Sequence, residues 1–370
     1  MRTKQFCILF LFLITLCSFS YGQGGDSIKS ENSENSHSEK PQKFAPGEFM
    51  LEHILDNHEW HIITVGHTHV SIPLPVILHS KTTGWHVFMS YKFHHGEVAY
   101  ENFEIAKEGA HKGKIVEKTA NGEIMPFDIS LTKVAFSLLL SCIALLVMFL
   151  SVSRKYKKNP NKAPSGLQSA VEPFIVFVRD DIAKPSIGEK HYARFMPYLL
   201  TIFFFIWFNN MVGLIPIFPG GANVTGNIAV TAVLALFTFI ISIFVSNKHY
   251  WIDIVNTPGV PWWLKIPVPL MPLIEILSFF IRPTVLMIRL FANITAGHLV
   301  ALCFVALIFI FANINPALGL GVSVFSAAFS LFMGLLELLV ALIQAYVFTL
   351  LSALYFGMAV AEPSHGHETH

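Results

Sequence analysis

The sequence predicts an all-α polytopic membrane protein with about five transmembrane helices and a small N-terminal β-containing domain. Of its 370 residues, 53% are hydrophobic and only 13% are charged, which is typical of a membrane protein. Several apolar runs are long enough to cross the roughly 30 Å hydrocarbon core of a bilayer. Residues 49–130 differ, because short β-rich runs alternate there with turn residues. The formal net charge of +1 gives no reason to expect a nucleic-acid partner.

The first 22 residues are typical of a secretory signal peptide. Arg2 and Lys4 precede an apolar core from Phe6 to Phe19, and small residues follow it at a site suited to cleavage. An uncleaved first transmembrane helix is the alternative, but the run is short and a polar tract follows. That tract, residues 23–48, is rich in Gly, Ser, Glu, Asn and Lys and is predicted to be a flexible linker.

Residues 49–130 are predicted to form an exported, periplasmic domain. Its β-rich runs are residues 60–65, 70–78 and 85–91. The domain is rich in histidine, and four of its histidines are candidate metal ligands: His67, His69, His94 and His95. No cysteine or closely spaced carboxylate completes a site, so solvated or strand-face histidines are favoured, and neither a metal nor a cofactor is predicted. The four cysteines lie near the N-terminus or in apolar runs, which excludes a disulfide framework.

The membrane domain is predicted to extend from residue 131 to residue 364 and to begin with a span at 133–152. Basic residues between 154 and 162 follow this span, so the positive-inside rule places that end in the cytoplasm. The export signal agrees with this orientation in a cell inner membrane. Residues 167–183 mix apolar with charged side chains and are too polar to span, so an interfacial helix is predicted there.

The next two spans are predicted at 195–217, running outward, and at 223–246, running back inward. Pro219 and two glycines form the turn between them. Polar residues, Asn223 and Asn227 among them, begin the returning helix, where such residues are usually capping groups. A second interpretation stays open, because these two asparagines are also suited to wetting an outer aqueous access.

Two long apolar tracts follow a predicted cytoplasmic loop at 247–266, one from 267 to 314 and the other from 319 to 360. As a single helix the first would be about 70 Å long, roughly twice the bilayer thickness. Such an excess requires a strong tilt, so the two tracts are predicted to form a long tilted helical hairpin. Because the N-terminus is predicted to be exterior and the chain to cross the membrane five times, the histidine-rich tail, residues 365–370, is predicted to be cytoplasmic.

The first long tract carries polar side chains at membrane depth, where a charged one costs roughly 2.5–3.5 kcal/mol on insertion scales. Four of them fall near one helix face at 100° per residue: Glu275, Arg282, Arg289 and Asn293. His298 follows Arg289 by nine residues and lies on the opposite face. Polar groups on opposed faces at different depths indicate two separate water accesses rather than the lining of one pore.

The segment from Arg289 to His298, Arg-Leu-Phe-Ala-Asn-Ile-Thr-Ala-Gly-His, resembles the signature of the a subunit of the F-type ATP synthase. The arginine, the Leu-Phe pair, the asparagine four residues on and the Ala-Gly pair all match. Residues 209–216, Asn-Asn-Met-Val-Gly-Leu-Ile-Pro, are similar to the family's asparagine-rich helix end. The resemblance implies two tilted helices that curve around a ring of c subunits, with b subunits of the peripheral stalk as further partners.

The resemblance also implies site residues on the second long tract, where Glu337 and Gln344 are seven residues apart and share a helix face. In many bacterial relatives the glutamate lies on the first of these helices and the histidine on the second. Here the two are exchanged, with His298 in the glutamate's place and Glu337 in the histidine's. Gln344 matches a family glutamine near the arginine, and with Asn293 it would orient the guanidinium.

The implied function is that of a proton-channel stator subunit, which is not catalytic by itself. Arg289 would hold an ion-carrying carboxylate of the c subunit in its ionised form. An outer access would use His298 and Glu337 with the two asparagines at the start of the third span, and an inner access would use Glu275. No phosphate-cradling Gly-rich loop is present, so no nucleotide site is predicted.

Two other classes of membrane protein remain as alternatives. A secondary transporter with its own substrate site is expected to show an internal repeat with paired broken helices, and the sequence shows none. An intramembrane hydrolase would need a His-Glu-x-x-His pair, or a serine or paired aspartates suitably placed in a span. The sequence has none of these arrangements.

Overall fold

The structure is a computed structural model that describes residues 56, 58–65, 68–96, 98–106, 113–119, 122–158, 163–215, 220–255 and 270–361. The predicted signal peptide, linker and histidine-rich tail lie outside these residues, as do Pro219 and most of the predicted loop after the third span. The chain divides into two compact units. One comprises the described parts of Met1–Leu140, Val212–Val224 and Thr295–Leu336. The other comprises those of Ser141–Met211, Thr225–Ile294 and Glu337–His370.

The strands described in the N-terminal part are β1 (Glu59–Val65), β2 (Thr68–Pro73), β3 (Pro75–Ser80), β4 (Gly84–Met89), β5 (Phe103–Ile105), β6 (Ile115–Thr119), β7 (Gly122–Ile124) and β8 (Phe127–Asp128). They form three small antiparallel sheets, β1–β2, β4–β3–β8 and β5–β6–β7. The predicted β-rich run at 70–78 is extended, but it is divided into two strands, because β2 ends at Pro73 and β3 begins at Pro75. A proline cannot donate to a strand ladder, and two prolines around Leu74 divide the run.

Alternating side chains of β3 and β4 build the core of this domain. Val76, Leu78 and Phe88 are buried, and they pack with three further core residues: Phe93, Phe103 and Ile115. Burial of every second residue is the period-2 pattern of a strand with one inward face. The intervening residues of the same strands therefore face outward.

Two contacts fasten this domain to the first long helix, which begins at Lys133. Asp56 Oδ1 accepts a hydrogen bond from the backbone N–H of Val134 at 3.0 Å, so it satisfies one of the free donors of the first turn. Burial raises the pKa of Asp56, and the hydrogen bond from Val134 opposes this rise. The Trp60 ring packs edge-on against Phe136, with 5.9 Å between ring centroids.

The described helices are α1 (Lys133–Lys158), α2 (Leu167–Phe177), α3 (Lys184–Ile187), α4 (Tyr192–Leu214), α5 (Ile228–Val245), α6 (Lys248–Val255), α7 (Leu270–Ile314) and α8 (Pro316–Val360). Five of them, α1, α4, α5, α7 and α8, are long and apolar enough to cross a membrane. This result confirms a mostly helical, polytopic membrane protein with about five spans.

The predicted ends of the first two spans are wrong. The first helix continues past residue 152 to Lys158, because lysine and arginine are good helix formers and suit the negative end of the helix dipole. The second covers Tyr192–Leu214 instead of 195–217. It stops before Ile215, since a residue that precedes a proline disfavours the helical conformation.

The third span begins later than predicted, at Ile228 instead of residue 223. Asn227 is the N-cap of α5, and its side-chain oxygen accepts a hydrogen bond from the N–H of Ala229 at 2.9 Å. The capping role predicted for this position is therefore confirmed for Asn227. Asn223 lies outside the helix. The loop predicted at 247–266 contains the short helix α6, which is a further correction.

The two long tracts form α7 and α8, each of 45 residues, so their bounds are corrected to Leu270–Ile314 and Pro316–Val360. Asn315 lies between the two helices and caps the start of α8, because its side-chain oxygen accepts a hydrogen bond from the N–H of Ala317 at 2.9 Å. Pro316 takes the first helical position, where a missing N–H costs nothing. The tilt of these helices in a membrane stays a prediction.

The predicted interfacial helix at 167–183 continues to Ile187, because α2 leads through a π-helical segment, Val178–Ala183, into α3. Val178, Ile182 and Ala183 are buried. Asp180 pairs with Arg179 and with Lys184, at 2.7 Å in each case. Such an amphipathic segment suits a membrane surface, and its location there stays a prediction.

Candidate functional site

Arg289 projects from an exposed face of α7. Leu286, Leu290 and Ile294 follow one another at steps of four, and all three are buried. Residues at this spacing share one face of a helix, so they fix which side of α7 packs against the protein. Arg289 points away from that side and is exposed.

The surroundings of Arg289 on this face are apolar. Val285 and Ile288 are 41% and 49% exposed, and Ala292 and Asn293 are exposed one turn further on. No hydrogen bond or ion pair joins the guanidinium to another described residue. An arginine keeps its charge, and lipid cannot solvate it. At membrane depth a polar or charged partner would stabilise this face.

Glu337 and Gln344 share a buried stripe of α8, as their spacing predicts. Their exposed fractions are 8% and 5%, and Ala341 between them is fully buried. Gln344 makes no described hydrogen bond to Arg289, so a role of Gln344 and Asn293 in orienting the guanidinium stays a prediction. Burial of Glu337 and Gln344 in an apolar helix requires polar partners or water.

Asn210 is a site residue that the sequence reasoning missed, although the resemblance covered its position. It is 3% exposed, and its side-chain N–H donates to the backbone carbonyl of Ala341 at 3.4 Å. The Thr225 hydroxyl donates in turn to the side-chain oxygen of Asn210. These bonds attach α4 to the part of α8 between Glu337 and Gln344. The sequence did offer one signal for this role, because Asn210 is a polar residue within a mostly apolar helix.

The neighbouring Asn209 has a different environment. Its amide N–H donates to the carbonyl of Phe205 at 2.8 Å, and its oxygen is buried without a hydrogen-bond partner among the described residues. Thr295, one turn before His298 on α7, also has a buried hydroxyl without such a partner. Buried polar atoms of this kind usually bind water, so both positions are suited to hydration.

His298 is half-buried on α7 and belongs to the compact unit of Thr295–Leu336, whereas Glu337 begins the last segment of the other unit. A direct pair between these two residues therefore stays a prediction. Asn223 is half-buried in the loop before α5. The side chains of His67, His69, His94 and His95 lie outside the described residues, so their solvated state also stays a prediction.

Glu275 forms an ion pair within the stripe that the sequence predicts. Arg282 Nη2 donates to Glu275 Oε1 at 3.0 Å, and Nη1 donates to the Tyr250 hydroxyl at 3.3 Å. Both partners of the ion pair keep about a quarter of their side-chain surface exposed. The pair is thus partly exposed, and the hydrogen bond from Arg282 to Tyr250 joins α6 to the N-terminal part of α7.

A small cleft beside Arg282 extends this polar region. Its lining includes the hydroxyl-bearing residues Thr238, Ser242, Tyr250 and Tyr355. The Ser242 hydroxyl is buried without a hydrogen-bond partner among the described residues. Arg282 and Tyr355 both line this cleft.

Comparisons with known proteins decide the family. Residues 135–357, more than half of the chain, match the family described as ATP synthase A chain. The chain belongs to this family. Its members named ATP synthase subunit a include one from Chloroherpeton thalassium, which is 43% identical over 257 residues, or 67% of this chain and 72% of the relative. A subunit a 2 from Chlorobaculum tepidum is 43% identical over 252 residues, or 67% and 68% of the two chains.

The match places the polar residues of α4, α5, α7 and α8 inside the ATP synthase A chain region. A more distant subunit a, from an Anaeromyxobacter species, is 38% identical over 276 residues, or 71% of this chain and 62% of the relative. The chain is thus a bacterial a subunit of the ATP synthase membrane sector, a component of a multi-subunit complex. Residues 49–134 match a different family, described as a domain of unknown function (DUF8433).

Proposed function

We propose that this a subunit is the proton-channel stator of its ATP synthase, with Arg289 facing the ring of c subunits. The observation that carries the proposal is the permanent charge of Arg289 on an exposed face of α7, where Val285, Ile288 and Ala292 surround it and only Asn293 is polar among its near neighbours. Lipid on that face would leave the charge unsolvated. A moving carboxylate of a c subunit solves this problem, because it supplies the opposite charge at membrane depth.

The chemistry of Arg289 follows from its charge. A positive charge close to a carboxyl group favours the ionised form, so Arg289 would hold the c-subunit carboxylate deprotonated as it passes the stator. The same positive charge would repel a proton that tries to pass directly between two water-filled accesses. Ala292 and Ala296, exposed on the same side, leave room for close approach of a partner helix.

Two accesses would deliver and remove the proton. The outer one would use His298 and Glu337 together with Asn223 and Asn227, and Asn210 would hold this part of α8 in place. Support comes from buried polar atoms in the corresponding segments, which are suited to water. Asn227 contributes through its cap as well, because the cap fixes the start of α5.

The inner access would begin at the ion pair of Glu275 with Arg282. This pair is partly exposed and adjoins the cleft that contains Ser242 and Tyr355. Water in this region would connect the cytoplasm to the part of α7 near Arg289. Asn293 and Gln344 would orient the guanidinium when the c-subunit carboxylate is present.

The remaining parts of the proposal concern location and partners. The chain would lie in the cell inner membrane, with an N-terminal signal peptide, a periplasmic N-terminal domain and a cytoplasmic C-terminus. The b subunits of the peripheral stalk would be its stationary partners. It would not catalyse ATP synthesis by itself, since nucleotide chemistry would belong to other subunits of the complex.

Cysteine cross-linking tests whether the Arg289 face meets the c-ring. Ala292→Cys places a thiol on the exposed side of α7, and Ile294→Cys, two residues on, places one on the buried side. In the assembled complex, Ala292→Cys should form a disulfide with a cysteine scanned along the outer helix of the c subunit. Ile294→Cys should form none. Equal cross-linking of both, or of neither, would refute a c-ring contact at this face.

The family match argues against the alternative considered from the sequence, a secondary transporter with its own substrate site. Copurification separates the two proposals. A ring of small hairpin proteins should remain with the chain through mild detergent extraction if it is a stator subunit, whereas a transporter would be recovered without one.

A further inference from the structure

The N-terminal domain has an exposed apolar surface that the proposed proton pathway does not use. We call it the outer sheet face, and it consists of the outward side chains of β3, β4, β8 and the residue after β8: Pro75, Ile77, His79, Trp85, Val87, Met89, Phe127 and Ile129. Strand register makes it continuous, because Ile77 lies opposite Val87, and His79 lies between Trp85 and Phe127. The rings of His79 and Trp85 are in contact, with 4.7 Å between centroids.

This face is unusually apolar for a surface in water. Val87, Phe127 and Trp85 are 70%, 65% and 61% exposed. None of the eight side chains is a lysine, an arginine or an acid. Soluble proteins rarely leave a contiguous apolar patch uncovered unless it meets a partner or a membrane. The inward side of the same strands already forms the domain's own core, so the outer face is not needed for folding.

The chain connection places this face close to the membrane. The segment after β8 continues the ladder with β3, since Ile129 N–H donates to Ile77 O at 2.9 Å and Leu131 N–H donates to Pro75 O at 3.0 Å. The membrane-spanning helix α1 starts only two residues later, at Lys133. Even fully extended, the residues from Phe127 to Lys133 cover about 20 Å. The face therefore cannot lie far from the membrane surface.

The attachment is also stiff. Besides the ladder, the Ser130 hydroxyl accepts a hydrogen bond from Ile77 N–H at 3.1 Å. On the first turn of α1, Val134 N–H is bound by Asp56, and Phe136 is covered by Trp60. Because residues 129–131 are bound to β3 and the first turn of α1 contacts Asp56 and Trp60, the domain is attached at several points and not through one flexible joint.

We propose that the outer sheet face rests in the interfacial layer of the membrane leaflet from which α1 emerges. Its composition fits this occupant, because tryptophan and other aromatic side chains favour the boundary between headgroups and hydrocarbon. A surface without lysine, arginine or acidic side chains loses little when it leaves water, and its apolar area gains from contact with acyl chains. The domain thus forms a lateral support for the first transmembrane helix, in addition to any role in proton transport.

Lipid-attached quenchers test this proposal on the full chain. The four native cysteines are replaced by alanine, and single cysteines are introduced by Val87→Cys in the outer sheet face or by Lys118→Cys on β6. Lys118 is a matched control, because it is also exposed and its side chain forms a surface ion pair with Glu104, which contributes little to stability. Each variant is labelled with bimane and placed in nanodiscs with ordinary or brominated acyl chains. Iodide is then added as a quencher from the water side.

The proposal expects brominated lipid to quench the label at residue 87 and not the label at residue 118. Iodide should quench the label at residue 118 and not the label at residue 87. Equal iodide quenching at both positions, without quenching by bromine, would overturn it, because the face would then be in water. A label at residue 87 that is protected from iodide and insensitive to brominated lipid would also overturn it, since another protein surface would then cover the face.

Discussion

Gly357 on α8 allows one substitution to be worked out from the structure. A Cβ atom at this position would lie 1.9 Å from the carbonyl oxygen of Ser186 and 3.0 Å from its carbonyl carbon. Ordinary contacts begin at 3.4 Å, so Gly357→Ala must separate the two backbones by the difference, about 1.5 Å. Neither obstructing atom can rotate away, because both belong to the main chain of α3. Packing of the α2–α3 segment against α8 should be lost locally.

The expected cost follows from two opposed effects. Overpacking typically costs about 1–3 kcal/mol, whereas exchange of glycine for alanine within a helix gains about 1 kcal/mol. Because a shift of this size is large for a packed backbone, we expect a net loss of about 2 kcal/mol. Gly334→Ala on the same helix is the control, since no atom lies within 4 Å of a Cβ at that position. It keeps the gain in helix propensity and avoids the clash.

Thermal unfolding of the purified subunit in one detergent measures the difference. For a chain of 370 residues the entropy of unfolding is about 0.8 kcal/mol per kelvin, so about 2 kcal/mol corresponds to a fall in Tm of roughly 2–3 °C. Gly334→Ala should leave Tm unchanged or slightly higher. If Gly357→Ala is as stable as Gly334→Ala, the backbone of α8 does not approach Ser186 closely enough to exclude a Cβ atom.

Three further predictions concern topology and the outer access. Cysteines at Gly47 and His367 should react with membrane-impermeant reagents from opposite sides, and labelling from one side only would exclude the proposed five-span topology. His298→Ala and Glu337→Ala should each slow proton translocation strongly, whereas the double exchange His298→Glu with Glu337→His should retain more activity. An exchange as inactive as the worse single variant, with assembly intact, would show that the two do not act together. Asn210→Ala should lower the free energy of unfolding by about 1–2 kcal/mol through its lost hydrogen bonds, and an unchanged Tm would contradict this.

The sequence predicted the helical architecture well because bilayer thickness constrains it strongly. Runs of about 20 apolar residues have few alternatives to a spanning helix, so the five spans could be found without coordinates. Their ends were less predictable. The late start of α5 depends on which of three nearby polar residues provides the cap, and only the hydrogen bond from Ala229 to Asn227 decides this. In the N-terminal domain, prolines divided a run that reads as one strand.

The candidate site could be predicted only in part, and the difference between Arg289 and Asn210 shows why. A charge in an apolar helix is conspicuous in a sequence, because lipid excludes it. Asn210 acts through the backbone carbonyl of Ala341, more than a hundred residues away, and a main-chain acceptor leaves no trace in the sequence. The ion pair of Glu275 with Arg282 is intermediate, since the spacing of seven predicts a shared face but not that the two side chains bind each other.

The central claim is that the charge of Arg289 couples proton movement to the rotor, and ATP-driven proton pumping by inverted membrane vesicles tests it most directly. Arg289→Ala should insert and assemble at normal levels, because its side chain faces outward, yet it should abolish pumping. Arg289→Lys should restore pumping only partly, since a lysine can lose its proton when it is desolvated. Arg282→Ala, which removes the other arginine of the same stripe, should have a much milder effect. Near-normal pumping by Arg289→Ala at matched subunit levels would contradict the proposed mechanism.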